Sequence, residues 1–266
     1  MVVFPNCKIN LGLHILAKRN DGFHNLETVF YPVKIFDAVE VVQSTQFASS
    51  TSGLPATEQP SENSCVKAYE LLRKDFSSLP AVKMHLHKTI PIGAGLGGGS
   101  ADAAFTVRLL NEKLNLQLTR EQLIHYAAQL GSDCPFFIIN TPCFAGGRGE
   151  ILEEIKIDLS NYKIAVVHPG IHIHTGWAFS QLKSFHPRSS LKEIIQLPVE
   201  QWKNALINDF EEVIFPHYPK LKKIKEDLYR AGAVYASMSG SGSALYGIFN
   251  SSPELNFSKD YLVKII

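Results

Sequence analysis

The chain has 266 residues, of which 45% are hydrophobic and 19% are charged, and its formal net charge is +1. That length allows one large domain or two of ordinary size, and the near-neutral charge gives no reason to expect a basic field that would collect nucleic-acid phosphates. No apolar stretch approaches the roughly 20 residues that a membrane-spanning helix needs, so we expect neither a nucleic-acid partner nor a membrane.

The predicted elements of the first part of the chain alternate between strands and helices. Residues 29–42 are rich in Val, Phe and Ile and predict a strand or a bent pair of strands. Residues 43–62 are rich in Ser, Thr and Pro, which predicts a loop or a hairpin. Apolar residues spaced by three and four over 63–76 predict an amphipathic helix, and alternation over 82–87 predicts a half-exposed strand.

A glycine-rich segment, residues 91–100, follows directly and contains five of the 18 glycines of the chain. This density indicates that backbone N–H groups approach something closely, with no side chains between. Ser100 is predicted to cap the next helix, with Asp102 in its first turn. Because a glycine loop that leads into a helix N-terminus binds anions, the predicted ligand is phosphate.

The second part of the chain continues in the same mixed pattern. The helix over 119–130 has a capping box from Thr119 to Gln122 and a stop at Gly131. Further segments predict helices over 100–114, 199–207 and 218–230, and strands over 136–144, 162–167, 234–238 and 244–249. The layout is α+β, with a boundary near residues 150–160 that predicts two domains, 1–155 and 156–266.

Three glycine-rich phosphate sites compete for the segment at 91–100. A P-loop requires Gly-Lys-Ser or Gly-Lys-Thr at its end, and the segment ends in Gly99 and Ser100 instead. A dinucleotide fingerprint matches formally from Gly93 to Gly98, but no acidic residue follows at the end of a second strand. A protein kinase needs His-Arg-Asp and Asp-Phe-Gly downstream, and the sequence has neither.

The pattern Pro91-x-x-x-Gly95-Leu96-x-x-x-Ser100-Ala101 resembles the ATP loop of the GHMP kinases. The N-terminal segment 5–13 and the glycine-rich segment 237–243 resemble two further motifs of that superfamily. The resemblance narrows to its branch that phosphorylates a cytidine-diphosphate-linked methylerythritol in the non-mevalonate isoprenoid route, on segments 8–14, 19–28, 92–104, 131–137, 147–150 and 168–170. It implies a two-domain α+β fold, with an N-terminal domain like the second domain of ribosomal protein S5 and a C-terminal ferredoxin-like domain.

The same resemblance implies roles for individual residues. Catalysis falls to Asp133, which accepts or orients the proton of the acceptor hydroxyl, and to Lys8, which pairs with Asp133 and supports the transferring group. Acceptor contacts are implied for Asn10, Phe23, His24, Thr175 and Phe179. ATP contacts are implied for Asn63 and for the loop residues Pro91, Ile92, Gly93, Ala94, Gly95, Leu96, Gly97, Gly98, Gly99, Ser100 and Ala101.

Taken as residues alone, several of these positions have a simpler interpretation. Asp133 is then an exposed loop aspartate beside Pro135, which favours an extended Cys134, and Lys8 is a solvent-facing strand lysine. Asn63 is a helix N-cap, and residues 239–242 are a plain hairpin turn. Phe23 stands where the family more often has tyrosine, so that ring stacking is kept and the hydroxyl is lost.

Cofactor predictions follow from the implied chemistry. ATP transfer calls for Mg²⁺ to neutralise the phosphates, with Ser100 as a candidate ligand and no dedicated carboxylate site. The histidines at 168, 172 and 174, and those at 85 and 87, lack cysteine or carboxylate ligands at zinc spacing, so we expect no structural metal. Four cysteines without a CxxC pair predict reduced thiols and a cytoplasmic protein.

Overall fold

A computed structural model of the chain describes residues 1–55, 63–183, 185 and 188–266. Its contacts divide the chain into two compact units. Unit 1 consists of Met1–Cys7, Lys34–Ile92 and Gly97–Asn140, and unit 2 of Lys8–Val33, Gly93–Leu96 and Thr141–Ile266. The chain passes several times from one unit to the other, so these units have no single boundary in the sequence. The division into domains 1–155 and 156–266 stays a prediction.

Strands and helices occur in runs along the chain, as is typical of an α+β protein. The strands are β1 (Val2–Val3), β2 (Asn6–Lys18), β3 (His24–Phe36), β4 (Ala38–Gln43), β5 (Ala48–Gly53), β6 (Val82–Lys88), β7 (Cys143–Gly146), β8 (Ile151–Glu154), β9 (Lys163–His168), β10 (Tyr235–Met238), β11 (Leu245–Phe249) and β12 (Leu262–Ile265). The helices are α1 (Ser64–Asp75), α2 (Gly98–Lys113), α3 (Arg120–Leu130), α4 (Cys134–Ile139), α5 (Thr175–Ser180), α6 (Leu191–Ile194), α7 (Trp202–Ala205), α8 (Phe210–His217) and α9 (Pro219–Arg230).

Within the described part of the chain, the strands form three four-stranded sheets. Their strand orders are β1-β4-β6-β5, β2-β3-β7-β8 and β10-β11-β9-β12. In the first sheet β5 runs parallel to β6, whereas β1 and β4 pair antiparallel. In the last sheet β9 lies between β11 and β12, with both pairings antiparallel.

Each unit has its own hydrophobic core. In unit 1, apolar residues of β4, β6, α1 and α2 pack together, among them Val41, Tyr69, Leu86 and Leu110. In unit 2, the core joins β9, β10 and β11 to α8 and α9, as at Phe210, Leu228 and Leu245. The predicted amphipathic helices and alternating strands are confirmed, because their apolar faces are the ones that these cores bury.

Two predictions about secondary structure were wrong. The segment predicted as a strand from Phe136 to Phe144 begins as the helix α4, which has Pro135 near its start and the left-handed Asn140 at its end. A short apolar run fits a buried helix as well as a strand. The segment predicted as a loop or a hairpin contains β5, which instead pairs in parallel with β6. Its Ser50 and Ser52 hydroxyls lie 2.8 and 2.9 Å from ring nitrogens of His85; residues 56–62 lie outside the described part.

His14 is a buried imidazole in β2 and leads to a prediction about stability. The residue is 2% exposed, and its Nε2 has no hydrogen-bond partner among the described residues. Burial lowers the pKa of His14, and the nearby Asp209 opposes that effect only in part. The unfolded chain therefore binds a proton first as pH falls below about 6.5, and stability declines with falling pH.

A His14→Phe variant is expected to lose less stability than the wild type between pH 7 and pH 5. Urea unfolding at several pH values measures this difference. His125→Gln is the matched control, since it removes an imidazole from an exposed helix position. Equal pH slopes for His14→Phe and the wild type would contradict the prediction.

Within the described ranges, no helix is both long enough and apolar enough to cross a membrane.

Candidate active site

Helix α2, which follows the glycine-rich loop, begins earlier in the segment 91–101 than the sequence predicts. Helix α2 begins at Gly98, and Gly97 occupies the N-cap position with φ +71°. The prediction that Ser100 caps the helix was therefore wrong: the left-handed turn at Gly97 starts the helix before it. Asp102 consequently lies beyond the first turn and is buried.

Gly95 owes its identity to a close approach of protein backbone. Its φ is +78°, and a Cβ built on it would overlap the carbonyl oxygen of Ser239 and lie 3.2 Å from that of Gly242. The Ser239 hydroxyl donates a 2.8 Å hydrogen bond to the Gly95 carbonyl, and the Ala244 N–H donates one of 3.0 Å to the Ala94 carbonyl. Part of the glycine density thus serves packing against the 239–242 turn.

A small cavity of about 90 Å³ opens beside the start of α2 in unit 1. The first N–H groups of this 16-residue helix lack intrahelical partners, and its first turn carries no acidic residue. The lining is therefore suited to an anion, and it consists of Ser64, Lys67, Gly99, Ser100, Ala103, Leu130 and Cys134. Sequence reasoning missed Ser64 and Lys67, although their spacing of three on α1 was a readable signal.

Asn63 and Asp133 occupy helix N-caps in unit 1. The Asn63 side chain accepts a 2.8 Å hydrogen bond from the Cys65 N–H, which confirms its capping role. Asp133 precedes α4 and is partly exposed, with αR backbone angles. The expectation of an extended Cys134 was wrong, because Pro135 is accommodated in the first turn of a helix. Burial raises the pKa of the Cys134 thiol to about 12, so it stays protonated.

Lys8 and Asn10 share one face of β2, as their spacing predicts. Lys8 is 3% exposed; its Nζ donates a 2.5 Å hydrogen bond to Asn10 Oδ1 and lies 4.8 Å from the centre of the Phe30 ring. Asn10 Nδ2 donates in turn to Thr28 Oγ1 at 2.9 Å. These contacts hold the ammonium group in a defined place. The pairing of Lys8 with Asp133 would join the two units and stays a prediction.

The residues predicted for acceptor binding come together in part within unit 2. His24 stacks on Phe179 at a centroid distance of 4.9 Å and an interplanar angle of 19°. Phe23 is 54% exposed, and the Arg148 guanidinium lies 4.8 Å from its ring centre. Thr175 begins α5, and its hydroxyl lies 3.0 Å from that of Ser241.

The imidazole of His24 is adapted to act as a neutral group. Partial burial lowers its pKa, and the nearby Lys18 adds to that effect. A neutral imidazole offers one donor and one acceptor nitrogen. At neutral pH the stacked pair therefore presents a flat surface with a hydrogen-bonding edge, which is the chemistry that recognises a nucleobase.

Comparisons with known proteins agree along the whole chain. Residues 63–141 match the N-terminal domain of the GHMP kinases, and residues 187–262 match the C-terminal domain. A 4-diphosphocytidyl-2-C-methyl-D-erythritol kinase of Azobacteroides pseudotrichonymphae is 53% identical over 250 residues, which cover 94% of this chain and 93% of that protein.

Two further similarities support the same grouping. A kinase of the same name from Bacteroides fragilis is 52% identical over 263 residues, with coverage of 97% and 95%. The crystal structure of a 4-(cytidine 5'-diphospho)-2C-methyl-D-erythritol kinase superposes with a TM-score of 0.81 at 29% identity, and covers 93% of this chain and 90% of its own. The predicted α+β GHMP kinase fold is confirmed.

Proposed function

We propose that this protein uses ATP to phosphorylate 4-diphosphocytidyl-2-C-methyl-D-erythritol, because the chain belongs to the kinases of that name within the GHMP kinases. The reaction transfers the γ-phosphoryl group to the 2-hydroxyl and yields the 2-phosphate and ADP, a step of the non-mevalonate isoprenoid route. The observation that carries this proposal is the identity of about half of all residues to kinases of that name over nearly the full chain.

The donor half of the site is the loop 91–101 with the start of α2. Orphan N–H groups and the positive end of the helix dipole favour the triphosphate there. Lys67, which lines the adjacent cavity, adds positive charge. We assign the ATP contacts to Asn63 and to this loop. In this assignment, backbone N–H groups bind the phosphates in place of a P-loop lysine.

The acceptor half is the aromatic group around β3 and α5. His24 would bond the edge of the cytosine, and the rings of Phe23 and Phe179 would contact its faces. Asn10 and Thr175 are polar groups that we assign to the remainder of the acceptor. The contact between His24 and Phe179 brings these two rings into one group, which supports their common assignment to the acceptor.

The chemical step needs one carboxylate and one cation. Asp133 accepts or orients the hydroxyl proton while the acceptor oxygen forms its bond to the γ-phosphorus and the bond to the bridging oxygen of ADP breaks. The ammonium group of Lys8 stabilises charge on the transferring group. Its buried hydrogen bond to Asn10 supports this role, because a preorganised charge costs little reorganisation during the reaction.

In this proposal ATP binds together with Mg²⁺, since the ion neutralises the negative charge of the phosphates. The hydroxyl oxygens of Ser64 and Ser100 line the cavity at α2, and oxygen atoms are the ligands that Mg²⁺ prefers. Within the described ranges no cluster of three or more His, Cys, Asp or Glu side chains is placed to hold a metal. Ser100 is the protein ligand that we propose, because it lines this cavity, with ATP and water supplying the others.

We also place the protein in the cytoplasm. The buried thiols of Cys65 and Cys134 form no disulfide, and burial raises the pKa of both to about 12. Buried thiols that form no disulfide are typical of a reducing compartment.

An assay of ADP release tests the function. Purified protein with ATP, Mg²⁺ and the cytidyl acceptor is expected to release ADP, and CMP is expected to inhibit competitively against the acceptor. A homoserine or mevalonate kinase would not respond to CMP, and a non-catalytic nucleotide-binding protein would release no ADP above an Asp133→Asn control. Either result would overturn the proposal.

A further inference from the structure

Unit 1 contains a buried ionic cluster that the proposed reaction does not use. Lys88, the last residue of β6, is 1% exposed and forms ion pairs with Asp37 and Asp102. The Lys88 Nζ lies 2.7 Å from Asp102 Oδ2 and is also hydrogen-bonded to Asp37 Oδ2. The two carboxylates are 1% and 2% exposed.

Asp37 fixes the backbone immediately before the donor loop. Its Oδ1 accepts hydrogen bonds from the N–H groups of Thr89, at 2.6 Å, and of Ile90, at 2.9 Å. The Thr89 hydroxyl donates a further hydrogen bond of 2.5 Å to the carbonyl of Phe36. The chain is therefore held at the two positions that precede Pro91.

Asp102 fixes the start of α2, immediately after the donor loop. It binds Lys88 through Oδ2, while its Oδ1 is buried and has no hydrogen-bond partner among the described residues. Gly98 packs closely against the same group, since a Cβ there would lie 3.3 Å from Lys88 Nζ and 2.8 Å from Ile90 Cγ2. One ammonium group thus links the two flanks of the loop.

Stability alone does not explain such a cluster. Desolvation of buried ions is costly, and well-packed apolar residues of similar volume often stabilise a core as well or better. Hydrogen-bonded ion pairs, however, fix the distance and direction between the groups that they join, which apolar contacts do not. The cluster joins the β3–β4 junction, the end of β6 and the first turns of α2, which together determine where the loop N–H groups lie.

We propose that Lys88, Asp37 and Asp102 are positioning residues for ATP binding. They act through the backbone on both flanks of the loop 91–101 and make no contact with the nucleotide. This inference rests on the proposed function only in taking that loop as the ATP site. Because a misplaced binding group costs affinity steeply, weakening the cluster should affect the donor and spare the acceptor.

Calorimetric titration with ATP and Mg²⁺, without acceptor, tests the proposal. Lys88→Met and Asp102→Ala are each expected to weaken ATP binding about tenfold, with the KM for the acceptor within twofold of the wild type. Asp102→Asn is expected to bind within twofold, because only one of its oxygens has a partner. If Lys88→Met does not fold, the Lys88→Met/Asp102→Asn double variant takes its place. In that variant Asp37 is the one carboxylate of the cluster that remains, and it keeps its hydrogen bonds from the two backbone N–H groups.

Thr106→Val is the matched control for a purely structural effect. Thr106 is fully buried one turn further along α2, and its hydroxyl donates to the Asp102 carbonyl at 2.7 Å. This variant is expected to lower the unfolding midpoint without changing ATP affinity. ATP binding within twofold of the wild type in folded Lys88→Met and Asp102→Ala, or equal weakening in Thr106→Val, would overturn the proposal. Failure of the proposed function would instead appear as wild-type protein that binds ATP and releases no ADP with the acceptor.

Discussion

An Asp133→Asn variant is expected to lose about 10³-fold in kcat, with ATP affinity and stability close to those of the wild type. The amide keeps the size of the side chain and removes its ability to accept the hydroxyl proton. Asp133 makes no side-chain capping bond to α4, so the amide removes no cap from that helix. Steady-state ADP release with both substrates saturating measures kcat, and calorimetry measures ATP binding.

Asp158→Asn is the matched control for this change, because it also removes one loop carboxylate. Asp158 accepts a 2.8 Å hydrogen bond from the Ser160 N–H and is exposed. Its kcat is expected to stay within twofold of the wild type. A kcat for Asp133→Asn in that same range would remove Asp133 from the chemical step.

A Gly95→Ala variant is expected to be destabilised by about 3 kcal/mol, the sum of a left-handed backbone penalty and overpacking. The added Cβ would overlap the Ser239 carbonyl oxygen and lie 2.9 Å from the carbon of that carbonyl. Relief requires movement of backbone in the donor loop or in the 239–242 turn. ATP affinity should therefore fall together with stability, as measured by urea unfolding and calorimetry.

Gly22→Ala separates the two contributions. Gly22 has φ +86° and no atom within 4 Å of an added Cβ, so only the backbone penalty of about 1 kcal/mol applies. ATP affinity should be unchanged. Equal losses of stability in Gly95→Ala and Gly22→Ala would mean that the contact with Ser239 does not constrain the loop.

Local signals predicted much of the secondary structure. The capping box at Thr119 and Gln122, the Asn63 N-cap and the alternation along β6 are all present as predicted. Each of these features depends on neighbours within about four residues, through backbone capping or a repeating apolar face. Such signals need no knowledge of the fold.

Predictions failed where distant partners decided the outcome. The apolar run that follows Pro135 becomes α4, although its length suits either element. The serine-rich segment becomes β5 because β6 offers it a parallel partner, with Ala48 opposite Lys83. Helices α5, α6 and α8 and strand β12 were also missed. Their apolar patterns are short or irregular, and packing against the core of unit 2 determines their structure.

The chemistry proposed for the candidate site was predicted from the linear chain. The glycine loop before a helix indicated phosphate, and the two-residue spacing of Lys8 and Asn10 placed both on one strand face. These conclusions concern residue types and short spacings, which one segment of backbone determines. The acceptor class came from the joint order of segments over nearly the whole chain.

Only the tertiary structure decided which distant side chains meet. His24 and Phe179 stack although they lie 155 positions apart in the sequence, and Gly95 is glycine because the 239–242 turn lies against it. Likewise, nothing in the pattern around Lys88 indicated that Asp37 and Asp102 would share its ammonium group. Short-range backbone preferences are encoded residue by residue, whereas contacts of this kind exist only after a core has formed and excluded water from between the segments.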